Sequence, residues 1–495
     1  MGGCWSSPEV AISVPELQAY LLDLDAKMAT MTNNLTIIGG GLAGTEAGWQ
    51  AANRGIPVKL YEMRPLKSTA AHESDQLAEL VCSNSLGSNL ADRASGMLKN
   101  EMRHLDSLIL ACADQTALPA GGALAVGREA FARLVTERIS AHPLIEIIRE
   151  EVSEIPAGFV IVASGPLTSS KLSADISTKL GDENLYFYDA LAPVVYSESI
   201  NMKIAFRASR YGRDSQPDGE GDYINCPLDK SAYVHFVSEL RTAERINLKS
   251  FEEDIRRGVR AGPDKYFEGC LPIEIIAERG EESLAFGPMR PVGLTYPDTG
   301  KRPHAVVQLR QDNLAGSLYN LVGFQTNLKW PEQKRVLRLI PGLENARFAC
   351  FGMMHRNTFI NAPRQLLPTM QARIRADLFF AGQITGVEGY VGNAASGLLA
   401  GINAVRSIRD EELLVFPRDT MLGALCWYIT NAEASTFQPM KANFGLMPTL
   451  PLPPGKKKWP KRERYARYAK RGLSSLDCFI EEHRIEDDSE ALVSA

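Results

Sequence analysis

Leu35-Thr36-Ile37-Ile38-Gly39-Gly40-Gly41-Leu42-Ala43-Gly44 reads as a short β-branched strand running into a glycine turn that opens a helix, predicted over Leu42–Asn53. In such a turn Gly39 permits the tight bend, Gly41 lets the backbone approach a pyrophosphate, and Gly44 lets helix and strand pack closely. Phosphate then meets the unpaired amides and positive dipole of the helix start, beginning at Gly40, Leu42 and Ala43. Gly55 ends the helix, and a second strand, Val58-Lys59-Leu60-Tyr61-Glu62, sets an acid, Glu62, where a ribose hydroxyl would lie. A lone glycine fingerprint is weak. Strand, turn, helix, strand and acid in that order point to a bound dinucleotide.

Two later segments bear on which dinucleotide. Phe159–Gly165 and Leu378–Gln383 are both buried-type strands that end in small residues, the second at Gly382. A glycine-rich loop (Gly386, Gly389, Gly392) and a small-residue helix, expected from Ala394 to Arg406, follow. A second helix start near the first phosphate site suits a long FAD better than a nicotinamide nucleotide. Ordinary sheet-to-helix punctuation is the plainer reading of either segment alone.

A chain of 495 residues, 45% hydrophobic and 23% charged, has room for two or three domains with cores of their own. No apolar run approaches the ~18–20 residues that cross a bilayer. The eight cysteines are dispersed, with no disulfide framework, zinc knuckle or paired redox motif. A reducing, cytoplasmic setting fits, and neither a membrane, a metal nor a protein partner is expected. The formal charge of −5 carries no global sign of a nucleic-acid partner, so any such signal must be local.

The expected fold class is α/β: an FAD-binding Rossmann-like, doubly wound domain with an inserted α+β domain and a helical, basic C-terminal region. Residues 1–33 read as an N-terminal extension, with a weak helix from Val14 to Ala26. Met1-Gly2-Gly3-Cys4-Trp5-Ser6 happens to match a lipidation pattern, but an over-long start or dispensable extension is the preferred reading. Residues 34–198 form the first part of the FAD-binding domain and 199–340 the inserted substrate domain, with a charged helical stretch from Ser250 to Arg260. Residues 341–415 complete the FAD-binding domain, and 416–495 form the C-terminal region.

That last region carries Lys456-Lys457-Lys458-Trp459-Pro460-Lys461-Arg462-Glu463-Arg464-Tyr465-Ala466-Arg467-Tyr468-Ala469-Lys470-Arg471, nine of whose sixteen residues are basic. Interleaved aromatic rings suit RNA, through salt-sensitive phosphate neutralisation and base stacking. The alternative is a solvated helix face balanced by the acidic tail (Glu481, Glu482, Glu486, Asp487, Asp488, Glu490).

From about Asn33 to Leu476 the chain resembles the folate- and FAD-dependent tRNA uracil-5-methyltransferases (TrmFO, the small Gid-type flavoproteins). The stretches that carry the resemblance are Ile37–Gly44, Leu80-Val81-Cys82-Ser83-Asn84-Ser85, Tyr223-Ile224-Asn225-Cys226-Pro227 and Phe267-Glu268-Gly269-Cys270-Leu271-Pro272. Phe286-Gly287-Pro288-Met289, Met354-His355-Arg356-Asn357-Thr358-Phe359 and Gly382 through Asn403 complete them. Two departures are visible. About ten residues around Arg257 to Lys265 look inserted before Cys270, and Gly127 stands where an acid is expected before Arg128.

The resemblance implies a reaction: methyl transfer to carbon 5 of the T-loop uridine at tRNA position 54. The carbon comes from 5,10-methylenetetrahydrofolate and the hydride from reduced FAD, itself regenerated by NAD(P)H. It implies Cys270 as the nucleophile that adds to carbon 6, Cys82 as the base that removes the carbon 5 proton, and His355 as a stacking partner for the folate pterin. The target base must leave its stack to be reached. From residues alone each cysteine is equally a small buried hydrophobe, and Cys226 is the rival nucleophile. Three other readings stay open: the larger flavin enzyme of the tRNA wobble uridine, a small-molecule flavin oxidoreductase, and a noncatalytic RNA-binding flavoprotein.

Overall fold

The computed structural model describes residues 34–69, 71–181, 185–190, 192–212, 214, 221–246, 271–313, 315–352, 354–452, 455 and 459–485. The expected helices Val14–Ala26 and Ser250–Arg260, the inserted residues around Arg257 to Lys265, Cys270, and Lys456 to Lys458 lie outside them.

Five short strands build a parallel sheet in the order 378–380, 160–162, 35–38, 58–61, 145–148. Leu35 pairs with Val58 and Thr36 with Val160, so the first strand occupies the centre. Val160–Val162 and Leu378–Phe380 are buried along their whole length, as strands covered on both faces must be. The first helix spans Leu42–Asn53, as the glycine and β-branched punctuation predicts. The small-residue helix runs Tyr390–Ile408 and starts four residues before its expected position, absorbing Gly392 as a packing residue. A Cβ on Gly397 would lie 2.2 Å from the Ala43 carbonyl oxygen, and one on Gly401 2.7 Å from that of Ala47. Only glycine lets these two helix backbones come so close.

A second, antiparallel sheet of six strands has the order 206–207, 223–228, 305–311, 318–321, 194–196, 348–350. It carries its own apolar core, in which Tyr233, Phe236, Leu309 and Phe324 are buried, together with helix Lys230–Thr242. Between the two cores the chain runs out along Leu185–Ala190 and back along Met354–Phe359, paired antiparallel with Ala190 opposite Met354. A three-stranded sheet (85–88, 123–126, 117–118) flanks the first core.

The C-terminal helices join the first core. Lys461–His483 buries Tyr468, Gly472, Leu476, Phe479 and Ile480, an inward stripe at helical spacing. Each large apolar side chain there contributes about 1.5–3 kcal/mol by leaving water. Helix Met421–Asn431 is held by Glu101, a fully buried carboxylate that accepts the Met421 and Leu422 amides at 2.7 and 2.8 Å. Burial pushes the Glu101 pKa up to about 7, against the pull of those two hydrogen bonds. Among the described residues, no helix is long and apolar enough to cross a membrane.

Candidate active site

The glycine turn has the geometry its spacing requires. Gly39 adopts φ +110°, and a Cβ there would sit 2.5 Å from the Ala163 carbonyl oxygen. One on Gly44 would sit 1.8 Å from the oxygen of Gly39. Gly41 differs: a Cβ there meets no protein atom within 4 Å, because it faces an open cleft. Gly41 caps the Leu42–Asn53 helix without a side chain, so no side-chain oxygen fills the helix start.

Glu62 does more than the sequence suggests. Its Oε2 accepts the Gly40 amide at 3.0 Å, and its Oε1 accepts the Arg64 amide and Nε, each at 3.0 Å. Burial would raise its pKa, yet the hydrogen bonds and charge of Arg64 outweigh burial and hold it below the usual carboxylate range. Arg64 continues to Glu79 at 3.0 Å. The acid therefore braces the glycine turn as well as lining the cleft.

That cleft is lined by Gly39 to Ala43, Glu62, Ser164, Gly382 and Asn393 among others. It brings the expected turn, acid and second small-residue strand end together; Gly44 sits behind the turn. Gly382 is forced to glycine by φ +78° and by Ala43, whose Cβ would lie 2.9 Å away. Asn393 is 8% exposed, and its side-chain oxygen has no partner among the described residues. An open approach at Gly41, an uncapped helix start and an unpaired amide oxygen in one long cleft fit an extended dinucleotide such as FAD.

Cys82 lies on a half-buried loop at the rim of this cleft, next to the lining residue Val81. The Tyr390 hydroxyl, from the glycine-loop helix, accepts the amides of Cys82 and Ser83 at 2.7 and 3.0 Å. From the second sheet, Arg310 donates to Asn84 Oδ1 at 2.8 Å and to Ser83 Oγ at 2.7 Å. Asn84 in turn donates to the Gln311 carbonyl at 2.7 Å. The loop is thus clamped between the two cores.

Arg128 completes the cluster. It donates to the Leu80 carbonyl at 3.1 Å and pairs with Asp312 at 3.1 Å. Burial opposes its charge, but Asp312, Tyr390 and the Cys82 sulfur together raise its pKa. With Gly127 in place of an acid, the carboxylate facing Arg128 comes from Asp312, far along the chain. Burial, then the proximity of Cys82, pushes the Tyr390 phenol well above its ordinary pKa. Tyr390, Arg128, Arg310 and Asp312 escaped the sequence reading. Arg310 and Asp312, at the end of a run that opens Ala305-Val306-Val307, were the available signal for two of them.

Cys226, the rival nucleophile, is wholly buried in the second core, and burial drives its thiol pKa far up. A thiol held neutral there is a poor nucleophile. Cys270 lies outside the described residues, as does the His355 side chain. The backbone of His355 sits on the Met354–Phe359 strand opposite Asp189.

A parallel sheet ending in a glycine-turn cleft, with a second sheet closing over its rim, defines the class: a Rossmann-type flavoprotein fold. A family model described as glucose inhibited division protein A matches residues 34–412. A methylenetetrahydrofolate--tRNA-(uracil-5-)-methyltransferase TrmFO of Pelotomaculum thermopropionicum is 58% identical over 448 residues, 90% of this chain and 98% of that protein. The protein of the same name from Bacillus subtilis is 54% identical over 442 residues, 89% and 97% of the two chains. The solved structure of Aquifex aeolicus GidA matches the fold with a TM-score of 0.60 at 16% identity, over 92% of this chain and 75% of that one. The chain belongs to the glucose inhibited division protein A family and, within it, to the TrmFO family.

Proposed function

We propose that this protein forms 5-methyluridine in tRNA, at the T-loop uridine of position 54, with carbon from 5,10-methylenetetrahydrofolate. The observation that carries the reading is the Cys82 loop, clamped at the rim of a dinucleotide cleft by Tyr390 on one side and Arg310 on the other. Identity of 58% to a relative named for this reaction supports it. In this reading residues 34–190 and 354–415 make the FAD-binding domain and 191–353 the substrate domain, wider than the expected 199–340 because strands 194–196 and 348–350 pair within the second sheet, and 416–495 make the basic helical region. The work is done in the cytoplasm, where tRNA is found.

Gly39, Gly40, Gly41, Leu42 and Ala43 hold the FAD pyrophosphate, Gly44 packs the helix start against the turn behind them, Glu62 holds a ribose hydroxyl, and Gly382 the approach to the second helix start. When bound and reduced at the expense of NAD(P)H, FAD supplies a hydride. The rest falls to the chain. Carbon 5 of uracil is a weak nucleophile until the Cys270 thiolate bonds to carbon 6, which makes carbon 5 electron-rich enough to capture the one-carbon unit. Cys82 then takes the carbon 5 proton, and the electron pair left behind expels tetrahydrofolate from the transferred carbon to leave an exocyclic methylene; a hydride delivered to that methylene would let the carbon 5–carbon 6 double bond re-form and expel the Cys270 thiolate. Tyr390 and Arg310 fix where Cys82 stands, which is how a proton-transfer step keeps its geometry. His355 stacks on the pterin of the carbon donor.

The test incubates the FAD-loaded protein with undermodified tRNA, NADPH and labelled 5,10-methylenetetrahydrofolate. Label is expected in 5-methyluridine at position 54, with none arriving from S-adenosylmethionine. Label absent from the tRNA while NADPH is consumed would instead support a small-molecule oxidoreductase.

A further inference from the structure

The basic segment gathers its charge on one side of its helix. With Tyr468, Gly472, Leu476 and Phe479 turned inward, Lys461, Arg462, Arg464 and Arg467 are exposed. Tyr465 lies among them, anchored on Phe444 at 4.7 Å between ring centres. Three cations stand near its ring: Arg464 at 5.4 Å, Lys461 at 5.8 Å and, from a different element, Arg93 at 5.9 Å. Alongside, Arg467 stacks on Trp459 at 3.8 Å, and the indole N–H is tied to the Pro451 carbonyl at 2.7 Å.

Two surface hollows flank Tyr465 and share Arg93; the first also takes in Lys461 and Arg462, the second Arg464. The sole acid among the residues lining them is Asp92, and it is paired with Arg93 at 3.0 Å. Glu463 of the same helix is taken by Arg467 at 2.9 Å. A groove this positive, on a chain whose formal charge is −5, runs against the sign of the whole molecule. Exposed cation–aromatic contacts return only about 0.5–1 kcal/mol each, which is modest against the mutual repulsion of crowded cations. A polyanion with phosphates at regular spacing and faces that stack on rings meets the whole arrangement. None of these lining residues lines the dinucleotide cleft.

We propose that the groove between the Leu90–Arg93 turn and the Lys461–His483 helix is a docking surface for the phosphate backbone of folded tRNA, separate from the place of chemistry. The proposal rests on the tRNA reading above and adds where the nucleic acid is gripped. The test uses the full-length, FAD-loaded protein carrying Lys461→Glu, Arg462→Glu and Arg464→Glu together, with the triple change of the same positions to Lys or Arg as the charge-conserving control. Because all three positions are exposed, the melting temperature and flavin content are expected to stay close to those of the parent. For undermodified tRNA, KM and the directly measured Kd are expected to rise at least ten-fold with kcat at saturation retained. The slope of log affinity against log salt is expected to shrink by about 2–3, at ~0.7–0.9 per lost phosphate contact. The control is expected to match the parent protein.

Unchanged Kd and salt slope would overturn the proposal, and so would a fall in kcat at constant KM. Loss of binding to anionic vesicles or to an acidic protein, with tRNA affinity intact, would assign the groove to another partner and overturn it equally. A parent protein that binds tRNA through this groove yet methylates none would defeat the functional reading alone.

Discussion

Gly41→Ala separates the cofactor role of the glycine turn from its structural role. Gly41 has φ −77° and ψ −170°, which alanine adopts freely, and its Cβ would meet no protein atom within 4 Å. The unliganded protein should lose at most about 1 kcal/mol, the preference for glycine over alanine at a helix cap. The new methyl nevertheless stands where the pyrophosphate is proposed to lie, and overpacking of that kind costs about 1–3 kcal/mol. That weakens FAD roughly 5- to 150-fold. At an FAD concentration 100 times the parent Kd, ligand linkage stabilises the parent by about 2.7 kcal/mol, and a 30-fold weaker variant by about 0.9. Thermal melts with and without FAD, alongside flavin absorbance of the purified protein, measure both quantities. Gly397→Ala is the converse case. Its Cβ would fall 2.2 Å from Ala43 oxygen, so the unliganded protein itself should lose about 1–3 kcal/mol or more. A Gly41→Ala protein that purifies fully yellow with an undiminished FAD-induced shift would refute the placement of the pyrophosphate.

Tyr390→Phe removes the acceptor for the Cys82 and Ser83 amides; turnover should fall at least ten-fold with flavin content preserved, and faster amide exchange at residues 82–83 should accompany it. Cys82→Ala and Cys270→Ala should each abolish methyl transfer, whereas Cys226→Ala, in the second core, should keep it; tRNA methylation by the three purified variants decides the matter. Glu101 sets a pH dependence. Its folded pKa of about 7 exceeds the ordinary 4.5, so between those values the folded chain binds a proton that the unfolded chain has released. Stability from this group should therefore fall as pH rises from 4.5 through 7, by on the order of 3 kcal/mol, and level off above. In Glu101→Gln, chemical denaturation at pH 5 and pH 8 should show that decline removed.

The first half of the site was legible because its physics is local. A β-branched run, three glycines at fixed offsets and an acid at the end of the next strand specify one turn, and Leu42–Asn53 is the helix that results. The start of the helix at Tyr390 was misread because glycines at 389 and 392 resemble a loop, and only the approach of Leu425 and Val387 reveals Gly392 as a packing residue. The Cys82 surroundings were least legible. Arg128, Arg310, Asp312 and Tyr390 come from three distant segments, and no periodicity links them. Glu62 was found for its position, yet the load it bears, the Gly40 amide and Arg64, follows from a fold that no local pattern announces.

The ribbon that joins the two cores has a consequence for their history and for engineering. Ala190 pairs with Met354, so the chain leaves the flavin scaffold and re-enters it at facing positions of one ladder. Topologically, residues 191–353 are an overgrown hairpin loop. A two-residue turn between those strands would restore an ordinary hairpin and leave the scaffold's own strand order untouched. Modules attached in this manner can be swapped whole without rethreading the host, so one scaffold can acquire a new recognition head at a single splice point.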